Sequence, residues 1–131
     1  MTKKIAGNYN FTHYYIDGKD SVNYYFNNDY VGILKLFYSK GYSDLYIDFT
    51  LAYHNNEGDL QNNLGYLSNW NWNNSKRKSI QIESYEMRDT TIVGPLTENN
   101  TSIWDIKKLK DDELIIEADY NNKHYRAELK K

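Results

Sequence analysis

The feature that most constrains this chain is the strict alternation of apolar and polar residues in several short runs. The clearest run covers 45–53, where the apolar side chains occupy every second position: Leu45, Ile47, Phe49, Leu51 and Tyr53. Successive side chains of a β-strand point to opposite faces, so this pattern indicates a strand with one buried face. The same alternation predicts strands around Ile80 and Ile82 and around Trp104 and Ile106.

The C-terminal third of the sequence predicts two more strands directly after the Trp104 strand. Their apolar positions are Leu114, Ile116 and Ala118 in one run and Tyr125, Ala127 and Leu129 in the next. The segments between the three strands, Lys110-Asp111-Asp112 and Asn121-Asn122, are short enough to form hairpin turns. We therefore predict an up-and-down meander at this end of the chain.

The N-terminal part predicts three strands, with core faces that the pattern leaves open. They cover 5–16, 22–26 and 30–38, and the first ends at the turn-forming pair Asp17-Gly18. Glycine and asparagine at the following breaks are also typical of tight turns, because both residues tolerate left-handed backbone conformations. The pattern of short strands and short turns therefore extends to this end of the chain.

The segment 60–69 fits two structures. Leu60, Leu64 and Leu67 have the spacing of one helical face, whereas the residues that follow include two tryptophans with strand-like spacing. We favour a loop followed by a strand that reaches Trp70 and Trp72.

Composition supports an all-β fold. Aromatic residues make up 16% of the 131 residues, with fourteen tyrosines, and aromatic side chains are enriched in strands. About eight to ten short strands with little or no helix favour a small antiparallel up-and-down β-barrel, since closing a sheet removes its exposed edges. No linker or repeat divides the chain, so we predict one domain over 1–131.

Residues that could carry catalysis or bind a metal are sparse. The chain has no cysteine, and its three histidines, His13, His54 and His124, lie far apart without a metal-binding spacing. The seven glycines form no phosphate-binding loop, and no nucleophile elbow is present. We therefore expect no enzymatic activity, no cofactor and no metal. The net charge of -2 also argues against binding to nucleic acid.

The spacing of Trp104, Ile106, Leu109 and Leu114 resembles the closing segment of the lipocalin-like (calycin) putative lipoproteins of Bacteroidetes. The segment 5–9, Ile-Ala-Gly-Asn-Tyr, is similar to the Gly-x-Trp start of calycins with a tyrosine in place of the tryptophan. The resemblance implies a lipocalin-like barrel. It also implies an exported protein of the cell envelope or periplasm, bound to a membrane only through a lipid anchor, with a cytoplasmic location as the alternative.

In calycins a basic residue near the end of the chain packs across the tryptophan of the first strand. The resemblance therefore implies a basic partner for Tyr9, and Arg126 and Lys130 are its two candidates in this sequence. The sequence does not decide between them.

Two functions remain open. The resemblance implies a binding module for a small apolar or amphipathic ligand, contacted by inward residues of the middle strands: Phe49, Leu51, Tyr53, Trp70, Trp72, Ile80 and Ile82. Large apolar residues are ordinarily core, so the alternative is a cell-envelope interaction or structural domain whose barrel is filled by its own side chains. The sequence predicts neither the identity of the ligand nor the oligomeric state.

Overall fold

Over the residues that the structure describes, the fold is all-β with almost no helix. The computed structural model describes residues 5–21, 30–37, 46–54, 60–72, 78–84, 94–96 and 98–131, and over 30–37, 46–54 and 60–69 it describes the backbone alone. These residues form one antiparallel sheet of nine strands.

The strands vary from two to thirteen residues in length. They are β1 (Gly7–Ile16), β2 (Lys19–Asp20), β3 (Tyr30–Phe37), β4 (Tyr46–His54), β5 (Leu60–Trp72), β6 (Ser79–Ser84), β7 (Asn100–Lys110), β8 (Glu113–Tyr120) and β9 (Lys123–Lys130). Their order in the sheet is β2-β1-β3-β4-β5-β6-β7-β8-β9, and β1 also pairs with β9. From β3 onward each strand therefore lies beside the next in sequence, as in an up-and-down meander.

Most of the predicted strands are confirmed. The segment 60–69 is strand throughout and continues through Trp70 and Trp72, so the strand is confirmed and the loop predicted before it was wrong. The strand predicted at 5–16 begins two residues later, at Gly7, and the one at 30–38 is described to Phe37. The strand predicted at 22–26 lies outside the described residues.

Two hairpins have turn residues with the left-handed backbone that their sequences predict. Asp17 and Gly18 have φ values of 51° and 81°, and Asn121 and Asn122 have values of 50° and 64°. Two consecutive residues with positive φ are typical of the type I′ turn, whose twist matches that of the paired strands. Glycine, asparagine and aspartate are the residues that adopt this conformation at the lowest cost.

The described core lies on one face of the sheet, the inner face, and the opposite face is the outer face. It contains aromatic residues from β1, β5, β7 and β9 and aliphatic residues from β6, β8 and β9, together with Ile5 and Leu96 from outside the strands. Trp104 and Tyr9 are its largest fully buried side chains. In β8 the buried residues alternate strictly with partly exposed ones, as the sequence predicts.

Two β-bulges explain why the apolar spacing departs from period two. Leu109 follows Ile106 by three positions, and the register with β8 shifts between Ile106 and Lys108. The extra residue returns Leu109 to the inner face, where it lies opposite Leu114. In β1 a shift between Phe11 and His13 likewise leaves both Phe11 and Tyr14 buried.

The basic residue that lies over Tyr9 is Lys131, so neither of the two candidates, Arg126 and Lys130, is the partner of Tyr9. The Lys131 ammonium is 5.5 Å from the centre of the Tyr9 ring. Arg126 alternates with the buried Tyr125 and Ala127, so its guanidinium is on the outer face, where it contacts carboxylates. Lys130 follows the buried Leu129 and is exposed for the same reason.

Candidate functional site

Four of the seven residues predicted to contact a ligand form one continuous apolar patch on the inner face. Trp70 lies opposite Ile82, and Trp72 lies opposite Ile80, in the pairing of β5 with β6. Ile80 in turn lies opposite Trp104 of β7. These cross-strand neighbours are close enough for direct packing of their side chains.

The two neighbouring tryptophans differ in exposure. Trp70 is 2% exposed, whereas Trp72 is only partly buried and packs against the edge of the core. Their ring centres are 5.7 Å apart with an angle of 72° between the planes, which is an edge-to-face arrangement. Trp72 therefore presents part of an aromatic surface beside a buried apolar patch.

The other three predicted residues lie on β4, and the structure describes their backbone alone. Phe49 is opposite Tyr66 of β5, four positions from Trp70, which corresponds to about 13 Å along a strand. Tyr53 is opposite Gln61, nine positions from Trp70, or about 30 Å. Leu51 lies between them, so the register does not bring the seven residues together at one point of the sheet.

Polar groups cluster where β7 begins and β8 ends. The Tyr120 hydroxyl donates a short hydrogen bond to the Glu98 carboxylate, and this bond, aided by burial, raises the pKa of Tyr120 to about 12. The Asn100 side-chain amide donates to the backbone carbonyls of Pro95 (3.0 Å) and Glu98 (2.8 Å). These bonds hold the segment before β7 against the ends of the strands.

Sequence reasoning missed the residues of this polar end, which also includes Ser84, the residue paired with Asn100 across β6 and β7. Ser84 continues the inward positions of Ile80 and Ile82, so the period-two pattern could have identified it as buried. Glu98 precedes β7 in a segment without periodicity, and its contact with Tyr120, 22 positions away, leaves no signal in the sequence.

The outer face of β8 and β9 carries a charged network. The two ring nitrogens of His124 lie 2.8 Å from a carboxylate oxygen of Asp119 and 2.6 Å from one of Glu117. Both hydrogen bonds raise the pKa of His124, with Asp119 as the larger cause. Arg126 bridges Glu117 and Glu128 at 2.9 Å on each side.

The surroundings lower the pKa of Glu117, whereas they raise that of His124. Burial opposes ionisation of its carboxyl group, but the His124 hydrogen bond and the Arg126 charge outweigh burial and lower its pKa. A depression beside this network is lined in part by Asp105, Lys107 and the 40%-exposed Ile103.

The described ranges contain no group of three or more histidine, cysteine or acidic side chains that could hold a metal ion. The helices of the same part of the chain include none that is long and apolar enough to cross a membrane.

Comparison of the chain with protein-family models, with curated proteins and with solved structures finds no match. The resemblance to lipocalin-like proteins therefore stays a prediction from the sequence.

Proposed function

We propose that the sheet closes into a small barrel. The pairing order from β1 through β3 to β9 returns to β1, because residues 7–10 of β1 pair with β3 and residues 10–16 pair with β9. A barrel of about eight strands either fills with side chains or holds one small ligand. The content of the interior therefore distinguishes the two candidate functions.

The function that the site supports best is the binding of a small apolar or amphipathic molecule. One observation carries this proposal, namely that Trp72 stays partly exposed beside the buried patch of Trp70, Ile80 and Ile82. Ligand sites are usually lined by apolar and aromatic side chains with a few polar groups. Glu98, Asn100 and Tyr120 supply such polar groups where β7 begins and β8 ends.

The second candidate is an interaction or structural domain of the cell envelope. Dense packing of the described core favours it, since Trp104, Tyr9, Ile80 and Leu114 are fully buried. On the outer face, Ile103 is exposed beside charged residues, an arrangement compatible with a protein contact.

Ligand titration separates these two functions. A panel of fatty acids, long-chain alcohols and porphyrins is titrated into the protein, with tryptophan fluorescence and native mass spectrometry as readouts. Binding should occur well below millimolar concentration, and Trp72→Ala should weaken it about tenfold through loss of apolar contact area. The control Ile103→Ala removes an apolar side chain from the outer face and should leave binding unchanged. Absence of binding below about millimolar, the weakest range of specific affinities, would favour the interaction domain.

A further inference from the structure

Two buried oxygen atoms belong to residues that pair with each other where β6 ends and β7 begins. Ser84 and Asn100 are paired directly across these two strands. Ser84 is 3% exposed. Within the described part of the chain, the Ser84 Oγ and the Asn100 Oδ1 are both buried without a hydrogen-bond partner. Buried polar groups are rarely left in this state, because each loses its bonds to water without replacement.

The hydrogen-bonding capacities of the two oxygen atoms define which chemical group could be their partner. Asn100 already uses its amide nitrogen as the donor to Pro95 and Glu98, so its free Oδ1 can only accept. The Ser84 hydroxyl can donate or accept. The missing group must therefore donate to Asn100, and a group that also accepts from Ser84 would satisfy both atoms at once.

The surroundings disfavour an anion at this point. Glu83 and Ser84 line a depression at the strand ends together with Asn99, Asn100 and Thr101. A carboxylate ligand could not donate to Asn100. A cation would exchange its hydration shell for two neutral oxygens, which do not compensate for the loss. The Glu98 carboxylate does not neutralise such a cation, because it already accepts the hydrogen bond of the Tyr120 hydroxyl.

We propose that Ser84 and Asn100 bind the hydroxyl group of a neutral amphipathic ligand. The hydroxyl donates to the Asn100 Oδ1 and accepts from the Ser84 Oγ. The apolar part of the same ligand extends along the inner face toward Trp70, which lies opposite Ile82 two positions before Ser84. This inference rests on the proposed function and specifies the class of ligand as an alcohol rather than a fatty acid.

The test compares four probes of similar size, namely 1-octanol, its isomer 1-methoxyheptane, octanoate and octylammonium. Calorimetric titration should show that 1-octanol binds about tenfold more tightly than each of the others, the ratio expected for a buried hydrogen bond. Ser84→Ala should remove most of this preference. The control Ser79→Ala changes a buried serine at the other end of β6 and should preserve it.

Thermal unfolding of the ligand-free variants provides a second readout. Ser84→Ala should not lower the melting temperature, because it removes a hydroxyl group that has no partner in the described structure. A clear decrease would show that the hydroxyl is bonded within the protein and would overturn the inference.

The outcomes separate this inference from the proposed function. Equal binding of all four probes, or preference for octanoate or octylammonium, would overturn the hydroxyl site and leave ligand binding intact. Equal affinity of 1-octanol and its isomer would assign the two oxygens to a bound water molecule. Failure of all four probes to bind would overturn the hydroxyl site, and only an additional failure of the ligand panel would overturn the proposed function.

Discussion

Trp104 donates a hydrogen bond from its indole Nε1 to the Oγ of Ser102, 2.9 Å away, and both side chains are buried. The two residues are two positions apart on β7, so both are on the inner face of the sheet. Trp104 thereby places its large ring in the core without leaving its one polar group unsatisfied. Its position opposite Ile80 joins the C-terminal meander to the patch that contains Trp70 and Trp72.

Trp104→Ala should lower the free energy of unfolding by about 3–5 kcal/mol, because it removes a fully buried ring and leaves a cavity. Urea denaturation measures the loss. Ile103→Ala is the matched control on the outer face of the same strand, with an expected change within about 0.5 kcal/mol. A loss well below about 1 kcal/mol for Trp104→Ala would contradict its place in the core.

Tyr9→Phe should cost about 1–2 kcal/mol, because the Tyr9 hydroxyl donates a buried hydrogen bond of 2.8 Å to the Ile5 carbonyl. Burial also raises the pKa of Tyr9 to about 12. The unfolded chain releases this proton near pH 10 and the folded chain does not, so the stability contributed by Tyr9 should decline as the pH rises above about 10. Phenylalanine cannot ionise, so a constant difference between the two proteins from pH 9 to 11.5 would contradict this account.

His124 should contribute a stability that depends on pH near neutrality. Asp119 and Glu117 raise its pKa, so the folded chain holds the imidazolium proton more tightly than the unfolded chain. The contribution is therefore fully present below about pH 6.5, the ordinary pKa of histidine, and is lost as the pH rises through the raised value. Urea midpoints of the protein and of His124→Gln should accordingly converge at alkaline pH. A difference that widens as the pH rises would contradict the network.

Asn122→Val should destabilise the protein by about 1–2 kcal/mol, because Asn122 has a φ of 64° and a β-branched side chain is strained there. Asn122 is exposed, so no packing is lost in the change. Asn122→Gly should be neutral or slightly stabilising, since Asn-Gly is the preferred pair for a type I′ turn. Equal stability of the Val and Gly variants would contradict the turn geometry.

The C-terminal meander could be predicted from the sequence because its information is local. Alternation identifies the strands, and Asn121-Asn122 identifies a turn, without reference to any distant residue. The same alternation places Arg126 and Lys130 on the outer face, which is why neither one lies over Tyr9. Contacts across the fold, such as that of Lys131 with Tyr9, depend on pairing between the two ends of the chain. No local pattern encodes them.

The candidate site was predictable only as a set of inward positions. Period two identifies Ile80, Ile82 and Trp70 as apolar inner-face residues, and burial of these residues agrees with it. The pattern contains no information on the distance between residues of neighbouring strands. It therefore could not show that Tyr53 and Trp70 lie far apart. The register of β4 with β5 supplies that distance.

The central claim is that a ligand contacts the Trp70 and Trp72 patch, and the indole NMR signals test it most directly. The chain has three tryptophans, so the proton–nitrogen spectrum contains three indole signals, assigned by Trp→Phe variants. Addition of a binding ligand should shift the signals of Trp72 and Trp70 most, and that of Trp104, bonded to Ser102, least. Unchanged Trp70 and Trp72 signals at saturating ligand would contradict the claim.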